Sequence, residues 1–308
     1  MVPAVSGTQR DIVQPFMIEA GAIRGRLVRL GPSVDEILKG HDYPAPVAQF
    51  MAETLVLAAT LAASLKYDGV FTLQIQTKGA IPLLVADVTS DGALRGYARY
   101  DEALLAQAQK AEGAPVPRFL GEGYLAFTVD QGAGTERYQG IVELAGEHLA
   151  DSALEYFSRS EQLASGLKLA AQPAKNGQGW QAAAIMIQRM PTSDNSPILT
   201  AAEQEESWRR ASILMASVKE SELFDLDLPS EQLLYRLYHA DGLSLFDHRS
   251  LQARCRCSST KLAATLKTFP RDEVEEMLDD KGEIAAVCEF CKTAHIFTRA
   301  DLDSLYGA

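Results

Sequence analysis

Residues 70–100 read VFTLQIQTKGAIPLLVADVTSDGALRGYARY, three runs rich in β-branched and aromatic residues separated by the turn residues Lys78-Gly79 and Asp91-Gly92. Such runs predict consecutive strands, and short turns between them predict an antiparallel meander. Upstream, residues 18–30 (IEAGAIRGRLVRL) alternate apolar and polar side chains as a strand with one wet face does. Ser33 is placed to cap a helix over VDEILKG, with Glu36 completing a capping box, and Pro44 and Pro46 introduce a long apolar helix from Val47 to about Lys66. Downstream, GYLAFTVDQGAG and ERYQGIVEL predict strands around a Gly-rich turn. A helix from about Glu147 to Gln162 and a closing strand in WQAAAIMIQRM follow. Grouped strands with segregated helices argue for an α+β domain with a mixed or antiparallel sheet, against a doubly wound parallel one.

That domain is predicted to span residues 1–197, because MPTSDNSP at 190–197 clusters Pro, Ser, Asn and Asp and carries no apolar period. A helical linker over 198–245 comes next. Its first helix, residues 200–223, is strongly charged with an apolar stripe of Trp208, Ala211, Ile213, Leu214 and Val218, and a second runs from about Ser230 to His239. Residues 246–308 then form a small C-terminal domain.

The length of 308 residues favours two units over one. With 47% apolar and 23% charged residues the chain is expected to fold as an ordinary globular protein. A net charge of −12 without any run of Lys and Arg repels phosphate backbones and anionic lipid, so neither nucleic acid nor membrane is expected as a partner. MVPAVSGTQRDIVQPF lacks the basic start and apolar stretch of a secretory signal, and the apolar segment Leu55 to Leu65 is shorter than the roughly 20 residues that span a bilayer. All four cysteines fall between positions 255 and 291, where they staple nothing in the large N-terminal part. A reducing cytoplasm is the expected location.

Those cysteines carry the chemistry. CRC at 255–257 and CEFC at 288–291 are two close thiol pairs in a segment of modest size, the donor set of a tetrahedral site. Zinc, which takes four thiolates at about 2.3 Å, is the expected metal, and a domain this small usually needs a metal or disulfide staple. Four protein ligands leave no position for a reacting water, which disfavours a zinc hydrolase, and no enzymatic activity is expected. Generic spacing fits a purely structural zinc ribbon as well as a redox site. Cys-x-Cys is the unusual half, since a disulfide closing so small a ring departs from relaxed geometry and is labile. Zinc keeps the sulfurs deprotonated, and Arg254 and Arg256 add positive charge beside them. His295 lies four residues after Cys291, but four thiolates already satisfy the metal; His41, His148, His239 and His248 sit in no recognisable catalytic motif. Gly121-Glu-Gly123 and Gly132-Ala-Gly134 match no phosphate loop and read as turns, and the acidic run Asp272 to Asp280 reads as a solvated helix face.

With CRC and CEFC at this separation, and with GAIRGRLVRL, HDYPAPV, LKYDGVFTLQIQTKG, LRGYARY, GEGYLAFTVD, ERYQGIVEL, EYFSRSEQL and LLYRLYH in this order, the chain resembles the bacterial 33 kDa heat-shock protein family, redox-regulated holdase chaperones. The likeness covers nearly the whole chain. It implies that Cys255, Cys257, Cys288 and Cys291 are both zinc ligands and redox sensors, with disulfides forming from Cys255 to Cys257 and from Cys288 to Cys291. It also implies ATP-independent protection of unfolding, oxidatively damaged client proteins, switched on when oxidation expels zinc and unfolds the C-terminal domain, with a homodimer as the oxidised form. The alternatives are a structural zinc-ribbon adaptor for protein or nucleic acid, and a thiol oxidoreductase using CEFC, which would sit in a thioredoxin-like β-α-β context that is missing here. Two positions depart from the family's pattern. Ala182-Ala183 stand where a glycine pair is expected before the last N-terminal strand, and Lys292 stands after Cys291 where zinc knuckles favour glycine.

Overall fold

The computed structural model describes residues 10–132, 137–173, 179–191 and 200–307. The first nine residues, Gly134 and the predicted boundary at Pro197 lie outside them. The chain is α+β and divides into two compact units between Ala253 and Arg254.

In the first unit, strands β1 (Ile12–Ile18), β2 (Ile23–Leu30) and the later β8 (Ser165–Gln172), β9 (Gln181–Arg189), β10 (Leu243–Leu245) and β11 (Arg249–Ser250) form one sheet. Its order is β10-β1-β2-β9-β8, with β11 also on β1. The meander β3 (Val70–Thr77), β4 (Leu83–Thr89) and β5 (Ala93–Arg99) forms as predicted, and is extended by β6 (Gly123–Asp130), β7 (Tyr138–Glu143) and β12 (Gln252–Ala253) into a second sheet of order β12-β5-β4-β3-β6-β7. Every pairing is antiparallel except β12 with β5.

The helices of this unit are α1 (Pro32–Lys39), α2 (Ala45–Ala62), α3 (Glu102–Lys110), α4 (Leu149–Tyr156), α5 (Ala201–Ser217), α6 (Glu220–Leu223) and α7 (Ser230–Tyr238). α2 is apolar almost all round because it packs on β2, β8 and β9 of one sheet and on β3, β4 and β5 of the other. At 18 residues it is long and apolar enough to cross a bilayer by composition, yet it is the core helix between the two sheets.

Strand β9 is apolar at nearly every position because both its faces are covered. Ala182, Ala184 and Met186 point into the core around α2, while Ala183, Ile185 and Ile187 point into a second core roofed by α5 to α7. Ala182 and Ala183 are therefore the second and third residues of the strand, not a turn before it. The second core holds Phe16, Ile23 and Leu27 of the sheet against Ala211, Met215, Val218, Leu233, Leu234 and Tyr238 of the helices. Phe16 stacks on Tyr238 with ring centroids 5.6 Å apart. Gly25 makes room for this, since a Cβ there would lie 2.1 Å from the Phe16 ring.

Three local expectations change. The strand predicted over 18–30 is two strands, parted by a turn at Glu19–Gly21 and by Ala22 with a left-handed φ of 48°. Ser33 does not cap α1. The N-cap is Gly31, and Asp11 arrives from the far side of the hairpin to accept from Gly31 N (2.8 Å), Ser33 N (3.0 Å) and Ser33 Oγ (2.6 Å). The charged helix over 200–223 begins with a capping box of Thr200 and Glu203 but breaks at Val218, whose ψ of 128° separates α5 from α6. Ile213, assigned to its apolar stripe, is 55% exposed, whereas Ala211, Met215 and Val218 are buried.

The second unit holds α8 (Ser259–Leu266), α9 (Arg271–Glu275), the hairpin β13 (Glu283–Val287) and β14 (Ala294–Thr298), and α10 (Arg299–Tyr306). Among its described residues the core holds four buried apolar side chains, Val274, Ile284, Phe297 and Leu302. Tyr306 Oη ties α10 to α8 through Leu266 O (2.8 Å), and Arg271 pairs with Glu275 and Asp303.

Candidate metal centre

Cys255 and Cys257 lie on the extended stretch just before α8, whose N-cap Ser258 accepts from Lys261 N at 3.2 Å and so fixes where that stretch ends. Cys288 directly follows β13, and Cys291 sits in the turn to β14. The hairpin closes through Cys288 N to Thr293 O (3.0 Å) and Lys292 N to Cys288 O (2.8 Å). That tight return requires a left-handed residue at 292, where Lys292 adopts φ 55°. The sequence anticipated this conflict of residue type with geometry.

The four sulfurs lie within 4.8 Å of one another, with Cys255 Sγ 3.7 Å from Cys288 Sγ and Cys257 Sγ 3.5 Å from Cys291 Sγ. A tetrahedron with metal–sulfur bonds of about 2.3 Å has edges of about 3.8 Å, so the donors match a zinc thiolate site. All four are partly buried, and none is in a disulfide.

The surroundings pull the thiols in opposite directions. The amides of Phe290 and Cys291 donate to Cys288 Sγ, although burial first, and then the Cys255 and Cys291 sulfurs, hold that thiol above its ordinary range. Burial, then the neighbouring sulfurs, likewise push Cys257 up. At Cys291 burial also acts upward but is outweighed by Thr293, through its hydroxyl (Oγ1 3.3 Å from Sγ) and its amide, and by Cys257 and Cys255, so that the thiol falls to about 6. Crowding four sulfurs thus favours protonation at two of them and ionisation at one, a conflict that a divalent cation resolves by replacing the protons. Thr293 and the two knuckle amides were not singled out from the sequence. The hydroxyl residue two positions after Cys291 was the readable sign.

His295 is outside the cluster, as expected: its Nδ1 lies 3.0 Å from Ser259 Oγ. His41 stacks on Tyr43, His148 precedes α4, and His239 Nδ1 lies 2.9 Å from Tyr235 O. In the acidic run Asp272 to Asp280, Glu275 pairs with Arg271 and Asp279 accepts from Lys281 N and Glu283 N, both structural contacts.

A second set of polar contacts lies on the sheet face under α5 to α7. Arg29 Nη1 donates to Leu228 O (2.6 Å) and Asp225 O (3.4 Å), and Nη2 donates to Glu222 O (2.8 Å). Lys168 Nζ reaches Val218 O at 2.5 Å, placing a cation at the C-terminal end of α5. Both cations come from the sheet and grip backbone carbonyls of the helical segment.

The Hsp33 protein family model matches residues 11–298. The chain is 37% identical over 289 residues to the 33 kDa chaperonin of Caulobacter vibrioides, covering 93% of this chain and 94% of that one. It is 36% identical over 298 residues to the 33 kDa chaperonin of Pseudomonas syringae pv. tomato, covering 96% and 94%. The crystal structure of the 33 kDa chaperonin of Thermotoga maritima superposes with a TM-score of 0.79 at 20% identity, over 97% of this chain and 98% of that one, which establishes the shared fold.

Proposed function

We propose that this chain, which belongs to the Hsp33 family, is a cytoplasmic, ATP-independent holdase chaperone that is inactive while its four thiols hold zinc and active once they are oxidised. The observation that carries this reading is the convergence of all four sulfurs in a unit whose described residues bury only four apolar side chains. Cys255, Cys257, Cys288 and Cys291 would be the ligands, and zinc, when bound, would neutralise the thiolates and clamp the stretch before α8 to the hairpin turn. Binding to such a site is worth about 10–16 kcal/mol. A whole domain is stable by only about 5–15 kcal/mol, so losing the clamp unfolds a unit with so small a core.

In the proposed switch each close pair reacts with one peroxide. A thiolate attacks one oxygen, the O–O bond breaks, the partner thiol displaces water from the sulfenic sulfur, and two thiols and H₂O₂ give one disulfide and two waters. Cys255 would pair with Cys257 and Cys288 with Cys291, as the family resemblance implies. With the metal gone, residues 198–245 would act as the linker that leaves the sheet. That release would uncover Phe16, Ile23, Leu27, Ile185 and Ile187 as an apolar surface for unfolding clients.

Zinc and thiols are counted before and after peroxide with mild heat, alongside light scattering of a thermally unfolding client. The expected result is one zinc and four thiols per chain in the reduced form, and loss of both as aggregation is suppressed. Retained zinc with suppression, or lost zinc without it, refutes the reading; persistent zinc and no suppression is the outcome a structural adaptor would give.

A further inference from the structure

We propose that the free edge of β7 is a docking site for one extended segment of an unfolded client, which adds to the second sheet as an antiparallel strand. This rests on the holdase reading above and specifies how that activity engages its substrate.

Among the described residues β7 ends its sheet and pairs only with β6. The bond from Leu144 N to Gly123 O (2.9 Å) extends that ladder by one pair and fixes its phase. In an antiparallel ladder hydrogen-bonded and non-bonded pairs alternate, so Tyr138, Gly140 and Val142 bond to β6. Gln139, Ile141 and Glu143 therefore direct their N–H and C=O groups outward. Among the described residues nothing accepts from or donates to those three backbone positions. They repeat at the spacing of a strand, which is the template an unpaired chain can complete.

Natural edges are usually blunted by lysine, proline or a bulge. Residues 138–143, YQGIVE, contain no lysine or proline, and their register with β6 runs without a bulge. Ile141 is 57% exposed, and Tyr124 of β6 is exposed on the same face of the sheet. The strand is also held firmly from behind. Gly140 lies so close to the domain that a Cβ there would fall 2.5 Å from the Phe127 ring and 2.7 Å from the Tyr156 ring, so the template is preorganised.

The occupant follows from these features. Backbone pairing asks only for an extended chain, the one property all unfolded clients share, while Ile141 selects an apolar side chain opposite and exposed Glu143 selects a Lys or Arg beside it. Such a site is sequence-tolerant and biased towards apolar segments flanked by basic residues.

The test uses the full-length oxidised protein with reduced, carboxymethylated α-lactalbumin as a permanently unfolded probe. Residue-resolved amide exchange is expected to show about tenfold or greater added protection at Gln139, Ile141 and Glu143, and none at Tyr138, Gly140 and Val142, which are already bonded. Ile141→Pro removes an outward N–H that β6 does not use and is expected to weaken probe binding about two- to tenfold, with Ile141→Thr, which keeps the N–H, between it and wild type. If Ile141→Pro disturbs the fold, seen as lost protection at 138, 140 and 142 in the reduced protein, the alternating pattern in wild type decides alone. Wild-type protein that captures the probe and suppresses aggregation without protecting the three odd-numbered amides overturns this proposal and leaves the holdase reading intact. Protection appearing on oxidation without probe assigns the edge to a second copy and also overturns it. Failure of wild type to suppress aggregation at all removes the holdase reading, and this proposal with it.

Discussion

Replacing Arg29 with methionine keeps the aliphatic stem on the sheet and deletes the donors that hold Glu222 O, Asp225 O and Leu228 O. Two of those bonds, at 2.6 and 2.8 Å, are short and charge-assisted; the third, at 3.4 Å, contributes little. Hydrogen bonds to a charged group are worth about 1.5–3 kcal/mol each. Burial already pulls the guanidinium below its ordinary range, against the opposing pull of Asp225 and Glu231, so part of that gain is spent on desolvation. A net loss of about 2–4 kcal/mol in docking of the helical segment follows, which multiplies the undocked population by roughly 30 to 1,000. In reduced, zinc-loaded protein, Arg29→Met should therefore speed amide exchange across 201–238, leave β3 and β4 unchanged, and confer measurable suppression of client aggregation without peroxide. Unchanged exchange would refute the clamp. Faster exchange with no client capture would refute the idea that the covered sheet face is the client surface.

Lys292→Gly should tighten zinc binding. An L-residue at φ 55° carries about 1–2 kcal/mol of strain, offset in part by the greater chain entropy of glycine, so about 1 kcal/mol, or roughly fivefold in a chelator competition, is expected. The lost Lys292–Glu289 pair is solvent-exposed and contributes little, and unchanged or weaker affinity would contradict the strain. Glu53→Gln should raise Tm at pH 7. Burial holds the Glu53 carboxyl above its ordinary range, with Gln49 and His148 opposing and Glu220 reinforcing. A raised carboxyl means that the folded state binds the proton more tightly than the unfolded state, so ionisation at neutral pH destabilises the fold. That penalty disappears as pH falls to the ordinary carboxyl range, where both states are protonated. The gain from Gln should shrink in parallel, and a gain independent of pH would exclude desolvation as its cause.

The parts of the fold legible in the sequence are those encoded locally. The meander shows in the turn residues of 70–100, the core helix in its apolar run after Pro44 and Pro46, and the metal centre in two close thiol pairs. What was missed depends on contacts distant in sequence. β1 was overlooked because Pro15 interrupts its pattern and because the turn to β2 ends on Ala22, a residue that does not announce a left-handed conformation. Ser33 looked like a cap because the local pattern was right, yet Asp11 holds that position from twenty residues upstream. Ile213 fails as a stripe residue because it stands two residues from both Ala211 and Met215, about 200° round the helix from each, and so faces away from the side on which Trp208, Ala211 and Met215 pack. Arg29 read as one charge in an alternating strand, and only the docked turn 222–228 reveals its role.

The proposed switch also needs a route from the cysteines to α5–α7, and chain connectivity supplies one. Cys255 stands two residues after Ala253, the end of β12, whose attachment to β5 consists of two residue pairs. Moving back along the chain, β11 holds β1 by two pairs and β10 holds it by three, and α7 precedes them directly. Short edge pairings are the least stable elements of a sheet, and fraying spreads most readily through them. β2 against β9, by contrast, carries eight consecutive pairs at the centre of its sheet. Disorder beginning at the metal centre thus meets little resistance until it reaches Tyr238, the fully buried ring stacked on Phe16 that fixes α7 in the second core. Beyond that ring the helical segment is held by its own apolar side chains, by the grip of Arg29 and Lys168, and by the ties of α5 from Ser207 to Ala20 O and from Gln204 and Glu205 to Arg189. The central strands of the sheet beneath, β2, β9 and β8, are sealed on the opposite face by α2 and bound by long pairings, so in the proposed switch they would persist as a surface for clients after the cover has left.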